Sequence, residues 1–450
     1  MKRSCIIWIF FVSMLLLTIN TAFAVNYSFK ALEFPGALAT YATDINDSGA
    51  ITGYYERTPD DEYDRRFHLG FLFKGSTWTT LDLSETRQST FPYGINNHDW
   101  IVGSKVRADE YGFTWGFGHE GLYLCPGYDG HVTRFYDVND AGIIIGACGT
   151  SYWWGDRSRW AGFTFDGTAY RMFKAPDGCY PIPVDINNQG IIIATSENRS
   201  YYINSDIWHT LSYPGATNTS ATAINNLGII VGQYTDSAGK IHGFTFNGTI
   251  WKSGNYPGAI ETIAYDINDK GLIVGSYKDA DGKRHGFSYI NGVWSSLDYP
   301  GATDTYARLV NNNGLIVGSF TKDGQEGQFL ATPLSAVAID IRPWNSSNLI
   351  NRMDWGLLPV AILSNSEFDA VDIMDLDTIT FGRTGDEHSM AFCSPIEWNV
   401  NRDSYKDLVC FFWIQRTGFQ CGDTQGVLKG TTQSGIHVEA KDSVRVIPCK

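Results

Sequence analysis

Three loops of this chain gather side chains that could do chemistry. Tyr63, Arg65 and Arg66 stand within positions 56–66, Arg107 and Tyr111 within 107–111, and Trp153, Trp154 and Arg157 within 150–159. Exposed aromatic rings beside guanidinium groups suit stacking on sugar rings or anchoring a protein partner. Insertions are also tolerated wherever loops are exposed, so the bland reading stands beside the functional one. The same loops hold Asp60, Asp61, Glu62, Asp64 and Asp156; a glycosidase needs two carboxylates facing one bond, at a separation that a sequence does not show. No Gly-x-Ser-x-Gly elbow, His-Glu-x-x-His pair or Ser-x-Asp-x-Gly-x-x-Trp box accompanies them.

The elements that position these loops follow from composition and periodicity. Of 450 residues only 18% are charged while 14% are aromatic and 47 are Gly, a balance that favours apolar strands and turns over solvated helices. Residues 1–24 read as a signal peptide: Lys2 and Arg3, an apolar run from Ile6 to Leu17, then Ala22-Phe23-Ala24 before Val25. Its removal leaves 32 basic against 48 acidic residues, net −16, which argues against nucleic acid and anionic membrane surfaces as partners. No later apolar stretch is long enough to span a bilayer. The expected location is secreted, extracellular or periplasmic.

Self-similarity sets the fold. Tyr213-Pro214-Gly215-Ala216 recurs at Tyr256 and Tyr299, 43 residues apart each time. Each copy continues into an Asn-Asn/Asp-x-Gly turn and then Ile-Val-Gly-x-Tyr/Phe. The first Asn of the turn falls at 46, 96, 139, 187, 225, 268 and 311, seven copies in all. In copy six, strands are expected over Thr262–Ile267, Gly271–Tyr277, Arg284–Tyr289 and Val293–Leu297, separated by turn sequences that include Asn291-Gly292. A four-stranded meander cannot bury both faces alone, so radial packing predicts an all-β, seven-bladed β-propeller over 25–332. The last copy lacks its fourth strand after Ala331, and Phe29–Ala37 matches Trp294–Ala302. The N-terminal strand should therefore close the ring, leaving no bare sheet edge.

These repeats resemble the extracellular HAF repeats of secreted bacterial proteins, named for a His-Ala-Phe tripeptide. The matching tripeptides are His242-Gly243-Phe244 and His285-Gly286-Phe287, with Ala161-Gly162-Phe163 and Leu69-Gly70-Phe71 as weaker forms. The resemblance covers about 26–332 and implies a secreted, propeller-like protein; it brings no catalytic residues. After a linker at 333–336, residues 337–450 change character and predict a small β-sandwich-like domain, with strands at Pro359–Leu363, Thr378–Phe381 and Leu408–Ile414. That segment is similar to an all-β domain common in secreted repeat proteins, through Ile339-Asp340-Ile341-Arg342-Pro343 and Pro359–Leu363 among others. The likeness implies a calcium loop before Leu408. Here Asn399, Asn401, Asp403 and Asp407 keep its oxygen-bearing positions, while Ser404 replaces the Gly and Arg402 and Lys406 add positive charge. Ca2+ is thus the one cofactor that the sequence raises, against a solvated turn.

Seven cysteines remain after the signal. Cys393, Cys410, Cys421 and Cys449 are expected to form two bridges in an oxidising environment. Three connectivities are possible; Cys421–Cys449 would tie down the chain end and leave Cys393–Cys410. Cys125, Cys148 and Cys179 leave one odd thiol, expected to be buried and inert. The turn asparagines read as structural, since their side chains bond local backbone. Asp44, Asp137, Asp185 and Asp266 precede the turn and could line a channel with acid, or bond within a blade. His242 and His285 read as satisfied interblade histidines. The sum is a non-catalytic recognition or scaffold protein whose partner is a carbohydrate or protein ligand; a polysaccharide hydrolase or lyase, and a purely structural surface or matrix protein, are the alternatives.

Overall fold

A computed structural model of the chain describes residues 26–57, 68–81, 89–106, 110–116, 121–126, 132–149, 160–196, 199–345, 347–365, 368–433 and 437–448. The architecture is all-β and propeller-like. Among the described residues helix is confined to the turns Ala370–Ile373 and Ile414–Arg416, and no helix is long and apolar enough to cross a membrane. The signal-peptide residues lie outside the described residues.

Seven four-stranded antiparallel meanders follow one another along the chain, their first strands at Ala37–Ile45, Ser89–Ile95, Val132–Val138, Ile182–Ile186, Asn218–Ile224, Glu261–Ile267 and Asp304–Val310. In the sixth the strands are Glu261–Ile267, Ile273–Lys278, Arg284–Ile290 and Val293–Leu297, within two residues of the boundaries that turn chemistry predicts. The seventh takes its fourth strand from the other end of the chain: Asn26–Leu32 lies antiparallel to it, Asn26 opposite Leu334 and Leu32 opposite Gln328. The second and third sheets are linked by the single pair Val132 and Glu110.

Two devices recur in register. Every first strand carries a β-bulge just before its turn, as between Ala264 and Asp266. The bulge brings carbonyl oxygens so close to the second strand that only a small residue fits opposite. A Cβ on Gly275 would lie 2.0 Å from the Ile263 oxygen. Opposite that glycine the third strand places Phe287, 1% exposed. The connection between sheets supplies the second device. Its aromatic stacks flat on the next second strand, with ring centroids 3.7 Å apart for Phe34 on Tyr55, Tyr213 on Tyr234, Tyr256 on Tyr277 and Tyr299 on Phe320. Such apolar faces between successive sheets are what hold one sheet against the next.

Residues 333–336, expected as a linker, continue the strand Gln325–Ala336, and Ser335 and Ala336 pair in parallel with Val438 and Glu439. Backbone hydrogen bonding to the tail keeps this stretch extended. The tail packs two sheets over one core. Ile341, Val360, Ile362, Cys410 and Phe412 come from one sheet, and Ile379, Phe381, Leu428 and Val438 from the other.

Two cysteines of the repeat region pair, beyond the bridges expected, while those of the tail pair as expected where they are described. Cys393 and Cys410, directly opposite on neighbouring strands, are bridged as expected. Cys421 is disulfide-bonded as well; Cys449 lies outside the described residues. However, Cys125 and Cys148 also form a disulfide, across 23 residues, because the short strand Gly121–Tyr123 brings Cys125 over the strand holding Cys148, among Phe135, Phe163 and Phe165. Among the described residues the free thiol is Cys179, half-buried rather than buried. Replacing both Cys125 and Cys148 by Ala should lower stability by ~2–4 kcal/mol, because the closed loop no longer restricts the unfolded chain. Chemical denaturation under non-reducing conditions checks this; an unchanged midpoint would remove the bridge from the account of the fold.

Candidate functional site

The first strands converge at one end on the seven Asn turns. Asn46, Asn96, Asn139, Asn187, Asn225, Asn268 and Asn311 are only 3–4% exposed. Each side-chain oxygen accepts within its own turn and each nitrogen donates to the next turn. In the sixth turn, Asn268 Oδ1 accepts from Lys270 N and Leu272 N at 3.0 Å, while Nδ2 donates to the Asn311 carbonyl at 2.9 Å. The Nδ2 bond runs from turn to turn through all seven, and Asn311 Nδ2 reaches the Asn46 carbonyl at 2.9 Å. The fourth residue of the turn takes the left-handed conformation, which Gly fills in six turns and Asp99, at φ 59°, in the second.

The next residue of each turn makes a second circuit. Asp47, Asn97, Asp140, Asn188, Asn226, Asp269 and Asn312 each donate a backbone N–H to the side-chain oxygen of the next, at 2.7–2.9 Å. Amide nitrogens bridge the carboxylates: Asn97 Nδ2 lies 3.1 Å from Asp47 Oδ2 and 3.0 Å from Asp140 Oδ2. The small polar cavity where the turns meet, about 160 Å³, is lined by these residues. Its hydrogen-bonding groups are spent on one another, so the turns are a clasp.

Two residues before the turn asparagines, Asp44, Asp137, Asp185 and Asp266 are half-buried. Hydrogen bonding within the sheet, one of the two expectations, holds for Asp44, Asp137 and Asp266, and the second carboxylate oxygen also reaches the next sheet. Asp266 Oδ1 accepts from Ile267 N and Oδ2 from Val310 N of the next sheet, both at 2.7 Å. Asp44 reaches Ile95 N and Asp185 reaches Ile224 N in the same way. The bulge turns these side chains to the next strand, which the alternation of a regular strand would not do. Burial pushes the Asp266 carboxyl up to about 6 despite those two N–H groups. Asp44 and Asp185 are held well above the usual range by burial and then by the Asp137 charge.

The opposite end of the sheets is different. There the first strands begin, and the second and third strands join; the loops at 58–67, 107–109 and 150–159 leave from this end. Tyr63, Arg65, Arg66, Arg107, Trp153, Trp154 and Arg157 lie outside the described residues, as do Asp60, Asp61, Glu62, Asp64 and Asp156. Tyr111 is not a loop residue: it sits in strand Glu110–Trp115 opposite Lys105, because pairing continues to Val106 and Glu110. At this end a cleft of about 350 Å³ opens between the seventh and first sheets. Tyr41 and Tyr54, themselves stacked at 5.0 Å, form one wall. Tyr306, Arg308 and Gln328 form the other. The exposed Arg308 donates from Nε to Ser319 Oγ at 3.0 Å, and its guanidinium lies 5.0 Å from the Tyr306 ring and 5.6 Å from that of Tyr265. Burial raises the Tyr306 phenol, against the nearby Arg284 and Arg308 charges. It therefore stays protonated as a hydrogen-bond donor. No residue of this cleft stood out in the sequence.

The histidines are satisfied, but within one sheet and not between two. His285 Nε2 lies 3.1 Å from Asp279 Oδ2 and Nδ1 3.0 Å from Asp298, with the ring stacked on Tyr277. His242 repeats this with Asp236, Asn255 and Tyr234. In the calcium-like loop, Asn401 Nδ2 donates to Asp403 Oδ2 at 2.8 Å, and Asn399 Nδ2 donates to the Asp403 carbonyl. Asp407 is fully buried and accepts from Ser364 N and Val400 N. Its carboxylate thus faces inward and serves the backbone. Among the described residues no group of three or more His, Cys, Asp and Glu side chains could hold a metal ion.

No protein-family model matches the chain, and no curated protein does. Solved structures with a similar backbone include a chain of the mitotic checkpoint complex (9% identity, 73% of this chain and 99% of that one, TM-score 0.43). YCF48 bound to D1 peptide is similar at 11% identity (69% and 95%, TM-score 0.42). The β-propeller domain of the trilobed protease from Pyrococcus furiosus is similar at 8% identity (64% and 97%, TM-score 0.44).

Two outcomes follow from the clasp and the Asp carboxyls before it. Asn268→Ala leaves Lys270 N and Leu272 N without their acceptor and takes one of two donors from the Asn311 carbonyl, which keeps Gly314 N; it should cost ~2 kcal/mol or more in denaturant unfolding, since each buried orphan costs ~1–3 kcal/mol. A loss below ~1 kcal/mol would show that the ring is dispensable. Because the Asp266 carboxyl is raised from 3.8 to about 6, the folded chain holds a proton that the unfolded chain releases. Stability should therefore fall as pH rises from about 4 through about 6, and Asp266→Asn should flatten that slope. Melting temperatures across this range decide it; a rise with pH, or the same slope in the variant, contradicts the assignment.

Proposed function

We propose that residues 26–332 form a seven-bladed β-propeller closed on itself by the N-terminal strand, and that it serves as a secreted, non-catalytic recognition or scaffold protein. The bond from Asn311 to Asn46 and the pairing of Asn26–Leu32 with the last sheet support the closure. The Cys125–Cys148 and Cys393–Cys410 bridges suit an oxidising environment, as does the resemblance to extracellular repeats. The working surface is the end where second and third strands join. One observation carries that choice: it holds a cleft with exposed Arg308 and three tyrosines, whereas the turn end spends its polar groups on itself. The chain enters and leaves the segments 58–67, 107–109 and 150–159, which carry Trp, Tyr and Arg, at the same end, and a carbohydrate or protein ligand is the partner that such a surface suits.

The test compares two variants of the full chain on a glycan array and in capture of secreted proteins. In one, Trp153 and Trp154 are replaced by Ala; in the other, Gln189 and Leu227 at the turn end. The first should lose its ligand with a melting temperature within about 2 °C of the parent, and the second should keep it. Binding lost only in the second moves the site to the turns. Turnover of a polysaccharide that vanishes with Asp60, Asp64 or Asp156 replaced by Asn would make the protein an enzyme instead.

A further inference from the structure

We infer that the cleft between the seventh and first sheets binds the carboxylate of an acidic sugar unit, with Arg308 receiving the carboxylate and Tyr41, Tyr54 and Tyr306 facing the ring. The inference rests on the recognition reading above and names its ligand class. Arg308 stands at the bulge of the seventh first strand, where the other six carry Thr43, Tyr93, Tyr136, Val184, Thr222 and Tyr265. It is the one cation in that set. Four carboxylates stand one position further along other first strands, yet Arg308 pairs with none of them, and no ion pair among the described residues includes it. Its Nε is fixed by Ser319 and its guanidinium carbon lies 5.0 and 5.6 Å from two tyrosine rings, which leaves the two terminal nitrogens to a ligand. A guanidinium is planar and presents a fork that matches a carboxylate bidentately.

The rest of the cleft selects a sugar. Tyrosine rings offer flat faces to the C–H face of a pyranose and hydroxyls to its rim. Gln328 and Ser319 add neutral donors and acceptors, and exposed Glu326 at the edge can accept from sugar hydroxyls. A cavity of about 350 Å³ lies at the small end of ligand pockets, enough for a terminal unit and too small for a protein surface. Glu326 also limits the charge that the site tolerates: one carboxylate at Arg308 is attracted, while a densely anionic polymer is repelled.

Isothermal titration of the full chain with short oligomers of galacturonate, glucuronate and mannuronate, each beside its methyl ester, tests this. At least one acid form should bind, its ester at least ~10-fold more weakly, because esterification removes the charge that strengthens the paired hydrogen bonds. Arg308→Gln should reduce acid binding ~10–100-fold and erase the preference over the ester, while Arg308→Lys, which keeps charge without the fork, should fall between. Thermal melting of both variants should match the parent, Arg308 being exposed. Equal binding of acid and ester, a preference that survives Arg308→Gln, or no binding of any of the three acids overturns the inference. If neutral glycans or a protein still bind this end and are lost with the Trp153/Trp154 variant, the recognition reading stands without the acidic-sugar assignment.

Discussion

The repeated units depend on a buried amide at each turn. An Asn side chain is the smallest group that can accept two backbone N–H groups of its own turn and still donate outward. Asp would supply the acceptors without the donor, and would bury a charge beside the next carbonyl. Ser or Thr is too short to bridge both N–H groups and the next unit at once. The donated bond at 2.9–3.2 Å connects turns that are between 38 and 50 residues apart along the chain, or 265 for the pair Asn311 and Asn46. A local turn motif thereby becomes the device that aligns neighbouring sheets, and it explains why loop insertions after the second strand leave the turn geometry unchanged. Those insertions lengthen the chain only at the far end.

The second circuit shows how charge is accommodated beside the first. Asp47, Asn97, Asp140, Asn188, Asn226, Asp269 and Asn312 place three carboxylates with no two adjacent. Full alternation is impossible in a circuit of seven, so one like pair must occur. It is the amide pair Asn188 and Asn226. An amide both donates and accepts, so the pair is satisfied: Asn188 N donates to Asn226 Oδ1 at 2.7 Å, while the two side-chain nitrogens turn outward to Asp140 and Asp269. Gln189 adds a bond to the Asn226 carbonyl at 2.8 Å. A pair of adjacent carboxylates at the same place would repel with no donor between them.

How much of this the sequence shows depends on whether the signal is local. The turns, the Asn291-Gly292 hairpin and the strand lengths of the sixth unit are local, and the chain order alone locates them. The supply of a fourth strand by Asn26–Leu32 is long-range, but it is legible because a repeat that ends one strand short implies where the missing strand must be. The bulge is not legible. It shifts the register inside a strand whose apolar alternation looks unbroken, and it decides that Asp266 bonds to Val310 of the next sheet. The Cys125–Cys148 bridge was hidden for a similar reason: an odd number of cysteines says that one is left over, not which, and only the placement of the short strand Gly121–Tyr123 selects the pair. The cleft escapes entirely, since Tyr41 and Tyr54 meet Tyr306 and Arg308 only through the meeting of the two ends of the repeat array.

The two ends of the sheets differ in what they leave unspent. At the turns, amides and carboxylates are arranged so that donors meet acceptors, and a ligand entering there must break bonds that align the sheets. Deeper in, the Asp carboxylates are raised by burial and by one another and are held by backbone N–H groups, so they too belong to the joints between sheets. At the other end the stacked aromatics of the connections, such as Tyr299 on Phe320, already hold the sheets together without help from Arg308. That guanidinium has no ion-pair partner among the described residues and is positioned by Ser319, Tyr306 and Tyr265. The polar groups that align the sheets and the exposed Arg308 thus stand at opposite ends of the same strands, so a substitution at Arg308 leaves the bonds of the clasp in place.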